Sequence, residues 1–411
     1  MLGGVVEDGV PAPLGPIKLA RHNSRMARLA AAVLVSSAGD PFSQAVSLVL
    51  LYQATRAPLA IAAAFGAEML GVLTVGGLIG AAADRVDRRR LIVGLEAIRF
   101  LIVATLPVVT SLSVFLLYPF LFLLAGIEAL VQPARQAAVP EFVAASEVGP
   151  ANALLMTAVT VAQAAGFAMA GIALAHVSDP RPLYLVDAFT FALAAMLIAT
   201  LSGMGGGIVA TRLRGGVGRA WAVRGARPLL VVSAATALVV GMLNPTILPL
   251  AYASSPNGPT AFTLLQVCLI AGGLVGSLAS GRIRQHKQPI AQVVSLWLFA
   301  AGVFAVGISP SVLLIGLAVA ISGVGNAAYS VTNISALMKT AVSANRGTVM
   351  SARFAMTRAA VALGLAMGAA VTGWLGPLRA FSSFGLALLM VAAAYTAFSI
   401  VQARARRHPS G

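Results

Sequence analysis

Acidic residues run out halfway along this chain. Only 12 of its 411 residues are Asp or Glu and none follows Asp187, whereas the 28 Lys and Arg divide into 12 before that point and 16 after it. Cysteine is nearly missing: the single Cys268 excludes an intrachain disulfide framework and any cysteine-based zinc or iron–sulfur centre. The histidines His22, His176, His286 and His408 are too scattered for a metal-ligand pattern. No Gly-x-x-x-x-Gly-Lys-Ser/Thr loop is present, so ATP hydrolysis has no engine within the chain, and no Ser/His/Asp arrangement marks an intramembrane hydrolase. The expectation is a protein that is not an enzyme, with no catalytic residues, no metal site and no cofactor.

What is present is apolar. Hydrophobic residues make up 59% of the chain and charged residues 10%, against about 25% charged in an average soluble domain. That excess excludes a water-soluble globule and makes a bilayer, rather than nucleic acid, the first explanation of a +16 net charge. A membrane-crossing helix needs about 20 mostly apolar residues. Twelve stretches qualify, near 29–51, 57–82, 91–110, 113–134, 151–176, 182–203, 228–252, 260–281, 289–308, 311–337, 348–374 and 380–402. The first 28 residues, rich in Gly and Pro and basic, read as a cytoplasmic tail rather than a cleaved signal.

Cytoplasmic connections of membrane proteins carry the excess of Lys and Arg. With residues 1–28 inside, the cytoplasmic segments hold 22 of the 28 basic residues, Arg135 among them, and the outer connections hold only Arg56, Arg181 and Arg379. Arg99, Arg353 and Arg358 fall within spans. Both termini are therefore expected in the cytoplasm, the last eight residues, 404–411, as a short tail. The one long polar connection, 204–227, is rich in Gly and Arg and divides six spans (29–203) from six (228–403). The halves share landmarks in order: Asp40-Pro41 with Asn244-Pro245, Gly80 before Asp84-Arg85 with Gly276 before Arg282, and Gly166-Phe-Ala-Met169 with Gly364-Leu-Ala-Met367. The fold class expected is an all-α membrane protein of twelve transmembrane helices in two pseudo-symmetric six-helix bundles.

The segment Gly80-Ala-Ala-Ala-Asp84-Arg85-Val-Asp87-Arg88-Arg89-Arg90 resembles the signature loop of the major facilitator superfamily, with Asp87 where that family usually has glycine. Together with Pro133-Ala134-Arg135-Gln136, Ala151-Asn152-Ala153, Asp187-Ala188-Phe189 and Arg346-Gly347-Thr348-Val349, it is similar to the branch containing the enterobactin exporter and macrolide-efflux proteins. The resemblance implies alternating access around a site between the bundles, a small-molecule substrate, protons as coupling partner and a monomer in a bacterial cytoplasmic membrane. It further implies that Asp84 latches the cytoplasmic side against the turn from Asn345 to Thr348, with Gly80, Arg85, Asp87 and Arg88 completing the gate. The alternative for the arginines is charge that only sets topology. The function expected is proton-driven export of small amphipathic compounds such as drugs, secondary metabolites or siderophores; the alternatives are an uptake symporter or facilitator for an anionic solute, or a transporter-like sensor that moves nothing.

Charges within spans cost at least a few kcal/mol near mid-bilayer and mark functional sites by default. Asp40, extended by Gln44 and Ser47 on one helix face, is the first candidate for proton coupling and is expected to line the cavity. Glu68, an acid among Ala, Phe, Gly, Met and Leu neighbours, is the second, with a structural hydrogen bond as its alternative. Glu96 and Arg99, three residues apart, read as a buried ion pair that Glu128 either joins or complements as a third proton carrier. Asp187 reads as a capping or packing residue. In the acid-free half, Arg358 is expected either to pair across the bundles with Asp40 or Glu128 or to bind substrate, while Arg353 snorkels toward the cytoplasm. The stripe Asn326, Tyr329, Ser330 and Asn333 either lines the cavity or glues helices, and Gln163 with Thr160 and Phe167 is cavity lining or packing.

Overall fold

Twelve long helices, each apolar enough to cross a membrane, account for almost all of the chain in a computed structural model. Its backbone is described for residues 16–83, 87–203, 220–221, 223, 225–284, 287–341 and 345–407, with side chains left undescribed at 16–17, 76–83 and 402–407. A short leading helix, Pro16–His22, precedes α1, Ser24–Thr55. The first bundle continues with α2, Pro58–Ala83; α3, Arg88–Leu112; α4, Leu117–Phe142; α5, Val148–His176; and α6, Tyr184–Ala199. The second comprises α7, Ala226–Ser254; α8, Gly258–Gly281; α9, Gln288–Ile308; α10, Val312–Thr340; α11, Arg346–Leu375; and α12, Pro377–Arg407. Much of the basic connection at 204–227, and with it Gly80, Asp84 and Arg85 of the signature segment, lies outside the described residues or side chains.

The bundles repeat one pattern of neighbours: α1 lies on α5 and α6 as α7 lies on α11 and α12, and α2 lies on α4 as α8 lies on α10. Between apolar helices in lipid there is little hydrophobic drive to associate, so close approach at small residues holds them. Gly166 of α5 meets the backbone of Ala38 and the ring of Pro41 in α1, and Gly364 of α11 meets Leu238 and Gly241 in α7. Gly71 of α2 abuts the Phe122 carbonyl of α4, as Gly272 and Gly276 of α8 abut Ala320 and Val324 of α10. These are the glycines of the sequence repeat or their neighbours, so the two halves are assembled with one device used twice. The outer faces carry Leu101, Phe189, Leu363 and Trp374, all largely exposed and apolar, as lipid contact requires.

Helix ends depart from the sequence reading where proline misleads. The fourth span is expected to end at 134, with Arg135 in the cytoplasmic connection after it, yet α4 runs on through Pro133 and Pro140 to Phe142. Prolines are tolerated inside membrane helices because neighbouring groups satisfy the freed carbonyls. Arg135 is consequently not a loop cation: it is buried inside the first bundle. At the other end of α1, helix begins at Ser24, capped by the Asn23 side chain on Arg25 and Met26 N–H groups, so part of the expected tail is helical.

Contacts between the bundles gather at one end of the molecule. Gln53 Nε2 donates to Tyr252 Oη at 3.2 Å, the rings of Tyr52 and Tyr252 lie 5.0 Å apart, and Arg56 lies 5.6 Å from the Tyr252 ring centre. Phe167 meets Phe262 edge to face at 6.3 Å, and Thr260 Oγ1 donates to the Gly171 carbonyl at 3.3 Å. Ala62 and Phe65 of α2 join Val361, Leu365 and Ala369 of α11 in an apolar cluster. All of these lie toward the α1–α2 and α7–α8 turns, so the bundles are closed at that end.

Candidate functional site

Arg99, three turns into α3, is the centre of the first bundle's polar interior. It is 4% exposed, its Nη1 donates to Glu128 Oε2 of α4 at 2.8 Å and its Nη2 donates to Asp40 Oδ1 of α1 at 2.8 Å. The planar guanidinium fork holds its donors in fixed, diverging directions, so one side chain reaches two helices at once with a geometry that a lysine does not impose. The Phe191 ring of α6 lies 3.9 Å from the guanidinium carbon, covering its remaining face. Glu96 is 3.7 Å from Arg99 as expected for an i,i+3 pair, but its hydrogen-bonded partner is Arg135, which also donates to Ser36 Oγ at 3.3 Å. The expected Glu96–Arg99 pair is thus the longest link of a larger cluster, because the guanidinium of Arg99 turns toward Asp40 and Glu128 instead.

The cluster has a wet side and a dry side. The Asp40 and Glu128 side chains are each 36% exposed, whereas Glu96 is fully buried and Arg99 nearly so. Glu96 Oε2, Arg99 Nε and Arg135 Nε carry no hydrogen bond. Next to Asp40, Gly39 lets α1 press against α6, where a Cβ would overlap Asp187 and Thr190. Asp187, 1% exposed, accepts from Ser43 Oγ and, at 3.3 Å, from Thr190 Oγ1. Ser47, expected to line a cavity with Asp40 and Gln44, instead is buried with its hydroxyl 2.9 Å from that of Tyr184. A fully buried phenol needs a partner, and the seven-residue step from Asp40 brings Ser47 to it. Gln44 and Gln163 are half-buried and make no described hydrogen bond, and Phe167 packs against the second bundle.

Glu68 is half-buried on α2, one turn beyond the Phe65 contact with α11, and holds no cation. Arg358 stands one turn before Val361 of the same apolar contact. Arg358 does not pair with Asp40 or Glu128, since Arg99 occupies both carboxylates; it is exposed, with its guanidinium 5.0 Å from the Phe354 ring of its own helix. The residue of α11 that turns inward is Arg353, with Thr357 one turn later, and both line a cavity of about 160 Å³ together with Asn326, Tyr329 and Ser330 of α10. Asn333 lies deeper and joins helices instead: it accepts from Ser233 Oγ at 2.7 Å and donates to the Leu229 carbonyl of α7 at 3.3 Å. The stripe on α10 therefore divides between cavity and glue.

At the end of the first bundle away from the closed contacts, Asp87 caps α3 by accepting from the Arg90 N–H at 2.9 Å. Arg88, assigned to the gate from the sequence, is turned into the bundle and paired with Glu141 of α4. A wide cleft of about 840 Å³ runs from Asp87, Arg89, Arg90 and Val93 to Ser202 and Gly203, and no residue of the Arg99 cluster lines it. Two residues of consequence were missed in the sequence, Arg135 and Arg353. A helical signal existed for each: Arg135 stands seven residues after Glu128, two turns along one face, and Arg353 stands one turn before Thr357.

Residues 29–203 match the sequence model of the Major Facilitator Superfamily. No curated protein matches the chain. Among solved structures, a variant of the nucleoside transporter NupG aligns with a TM-score of 0.75 at 12% identity, covering 91% of this chain and 99% of that one. A bacterial homologue of the human lysosomal transporter Spinster, in an inward-facing and occupied conformation, aligns at 0.72 with 14% identity over 92% and 96%. A variant of the peptide transporter POT in complex with sulfate aligns at 0.71 with 14% identity over 94% and 98%. The chain, with its twelve long helices, thus has the fold of these transporters over more than nine-tenths of its length, and residues 29–203 carry the sequence pattern of the Major Facilitator Superfamily.

Proposed function

We propose that the chain is a proton-coupled secondary transporter of small amphipathic compounds, working as an exporter by alternating access in a bacterial cytoplasmic membrane. The observation that carries this reading is the charge balance around Arg99. Four carboxyl groups, Asp40, Glu96, Glu128 and Asp187, share the interior of the first bundle with two guanidinium groups, Arg99 and Arg135. An unbalanced anion in an apolar interior costs several kcal/mol, so the surplus carboxylates are places for protons. Asp40 and Glu128 are the two with water access, and both are tied to Arg99. Protonating either one removes the charge that holds it to the guanidinium, frees α1 or α4 from α3, and couples proton occupancy to helix position.

Closure at one end, with polar groups reachable beneath it, supports alternating access. Export is inferred from the similarity of the signature segments to the efflux branch; Glu68 is kept as a second coupling residue facing the α11 contact. Uptake of an anionic solute is the second reading, favoured by a second half that holds 16 basic and no acidic residues. The test is transport of a panel of fluorescent dyes and drugs in proteoliposomes under an imposed pH gradient. Wild type is expected to move at least one compound against its gradient, and Asp40→Asn and Glu128→Gln to lose pH-driven movement while still inserting. Equal pH-driven transport by both variants would overturn the coupling assignment.

A further inference from the structure

We propose that the cavity between α7, α10 and α11 binds the carboxylate group of an organic acid, with Arg353 as its counter-ion. This rests on the transporter reading above and gives it a substrate class. Three helices deliver the lining: Ser233 and Thr236 from α7, Asn326 and Ser330 from α10, Arg353 and Thr357 from α11. Every polar group among them donates hydrogen bonds, and none is an acid. The Nε of Arg353 is sealed from solvent without a hydrogen-bond partner, and its guanidinium forms no ion pair among the described residues. The side chains of Asn326 and Ser330 make no described hydrogen bond either. By contrast Ser233, Thr236 and Thr357 are engaged, Ser233 with Asn333 at 2.7 Å and Thr357 with the Arg353 carbonyl at 2.9 Å, so the cavity wall is fixed while three of its groups stay unused.

A cation held within a membrane helix is costly unless it has a partner. No partner can come from residues 188–411, which contain no Asp or Glu. Asp40, Glu96 and Glu128 are already committed to Arg99 and Arg135 in the other bundle, and Glu68, although α2 lies against α11, forms no ion pair with Arg353. The ligand itself is then the source of the missing anion. One guanidinium neutralises one negative charge, and its planar fork matches a carboxylate in two parallel bonds; a dianionic phosphate would remain half unpaired. At about 160 Å³ the cavity takes a carboxylate and the carbons beside it, since whole drug-sized ligands need roughly 300–1,000 Å³. Val240 and Val361 supply the apolar wall for those carbons. The inference differs from the sequence expectation, in which Arg358 either paired across the bundles or bound substrate and Arg353 snorkelled toward the cytoplasm.

The probe is phenylacetate, with phenylacetamide and phenethylamine as neutral and cationic matches, titrated calorimetrically into the purified full chain in neutral detergent. Wild type is expected to bind phenylacetate and to prefer it over both matches. Arg353→Gln should weaken phenylacetate about tenfold or more, the loss of one charge-assisted pair, and leave the weak binding of phenylacetamide unchanged. Arg353→Lys should recover part of the affinity, and Arg282→Gln, an exposed cation at the end of α8, should bind as wild type. If Arg353→Gln loses its thermal transition, Ser330→Ala serves instead and should weaken binding by a few-fold. The proposal is overturned if phenylacetate binds Arg353→Gln as it binds wild type, if the amide binds as well as the acid, or if no probe binds. It is also overturned if binding persists in phosphatidylcholine nanodiscs and vanishes in phosphatidylglycerol nanodiscs at matched ionic strength, which would give the pocket to an anionic lipid headgroup. Binding is read at equilibrium without a pH gradient, so its failure is distinct from a failure of proton coupling.

Discussion

A guanidinium that reaches carboxylates on two other helices makes Arg99 the residue on which the first bundle's interior depends. Replacing it by leucine leaves Asp40, Glu96 and Glu128 with one cation, Arg135, that bonds only Glu96. Removing one partner of a buried pair costs about 3–5 kcal/mol, so Arg99→Leu is expected to melt well below wild type. Arg99→Lys keeps the charge and loses the fork. It should retain most of the melting temperature and lose much of the pH-driven transport, because a flexible ammonium does not fix Asp40 and Glu128 at the two prongs of a rigid fork; normal coupling in the lysine variant would show that charge alone suffices. At this scale the acids were legible, since an acid in an apolar run is conspicuous in any sequence. Their partners were less so. Arg135 was hidden by the assumption that a proline ends a helix, and Arg353 by its nearness to a helix end, where solvation by the interface is the simpler expectation.

Helices that touch through glycine have no spare volume at the contact. Gly364 sits against Leu238, Gly241 and Met242 of α7, and Gly166 against Ala38 and Pro41 of α1, so a leucine at either place must push two helices apart. Overpacking of this kind costs about 1–3 kcal/mol. Gly364→Leu and Gly166→Leu are expected to lower the melting temperature to a similar extent, and Gly347→Leu, with nothing near its Cβ position, to leave it unchanged. A large difference between the first pair would deny the equivalence of α5 and α11. The repeat itself could be read from short landmarks because the same glycine is needed wherever two such helices cross. Helix ends were harder: they depend on capping groups such as Asn23 and on how far a helix extends past its apolar length, and hydropathy records neither.

For the whole molecule, the number of helices and their division into two sixes followed from apolar length and from the placement of basic residues, both of which the bilayer itself imposes. Which end is closed did not, because it depends on pairs such as Gln53 with Tyr252, 199 residues apart. Tyr252→Phe removes one neutral hydrogen bond across the bundles, worth about 0.5–1.5 kcal/mol. The open state at that end should rise about two- to tenfold, measured as maleimide labelling of Thr263→Cys, a position 1% exposed behind the closed contacts, in a Cys268→Ala background. Unchanged labelling would mean that the aromatic contacts hold the end shut without Gln53. What separates there when the bundles part is rings, methyl groups, neutral hydrogen bonds and the single charge of Arg56 beside the Tyr252 ring; no ion pair among the described residues crosses it. Mobile ions act most strongly on charge pairs, and none is broken here, so the opening of this end should change far less between dilute and physiological salt than a gate closed by ion pairs would.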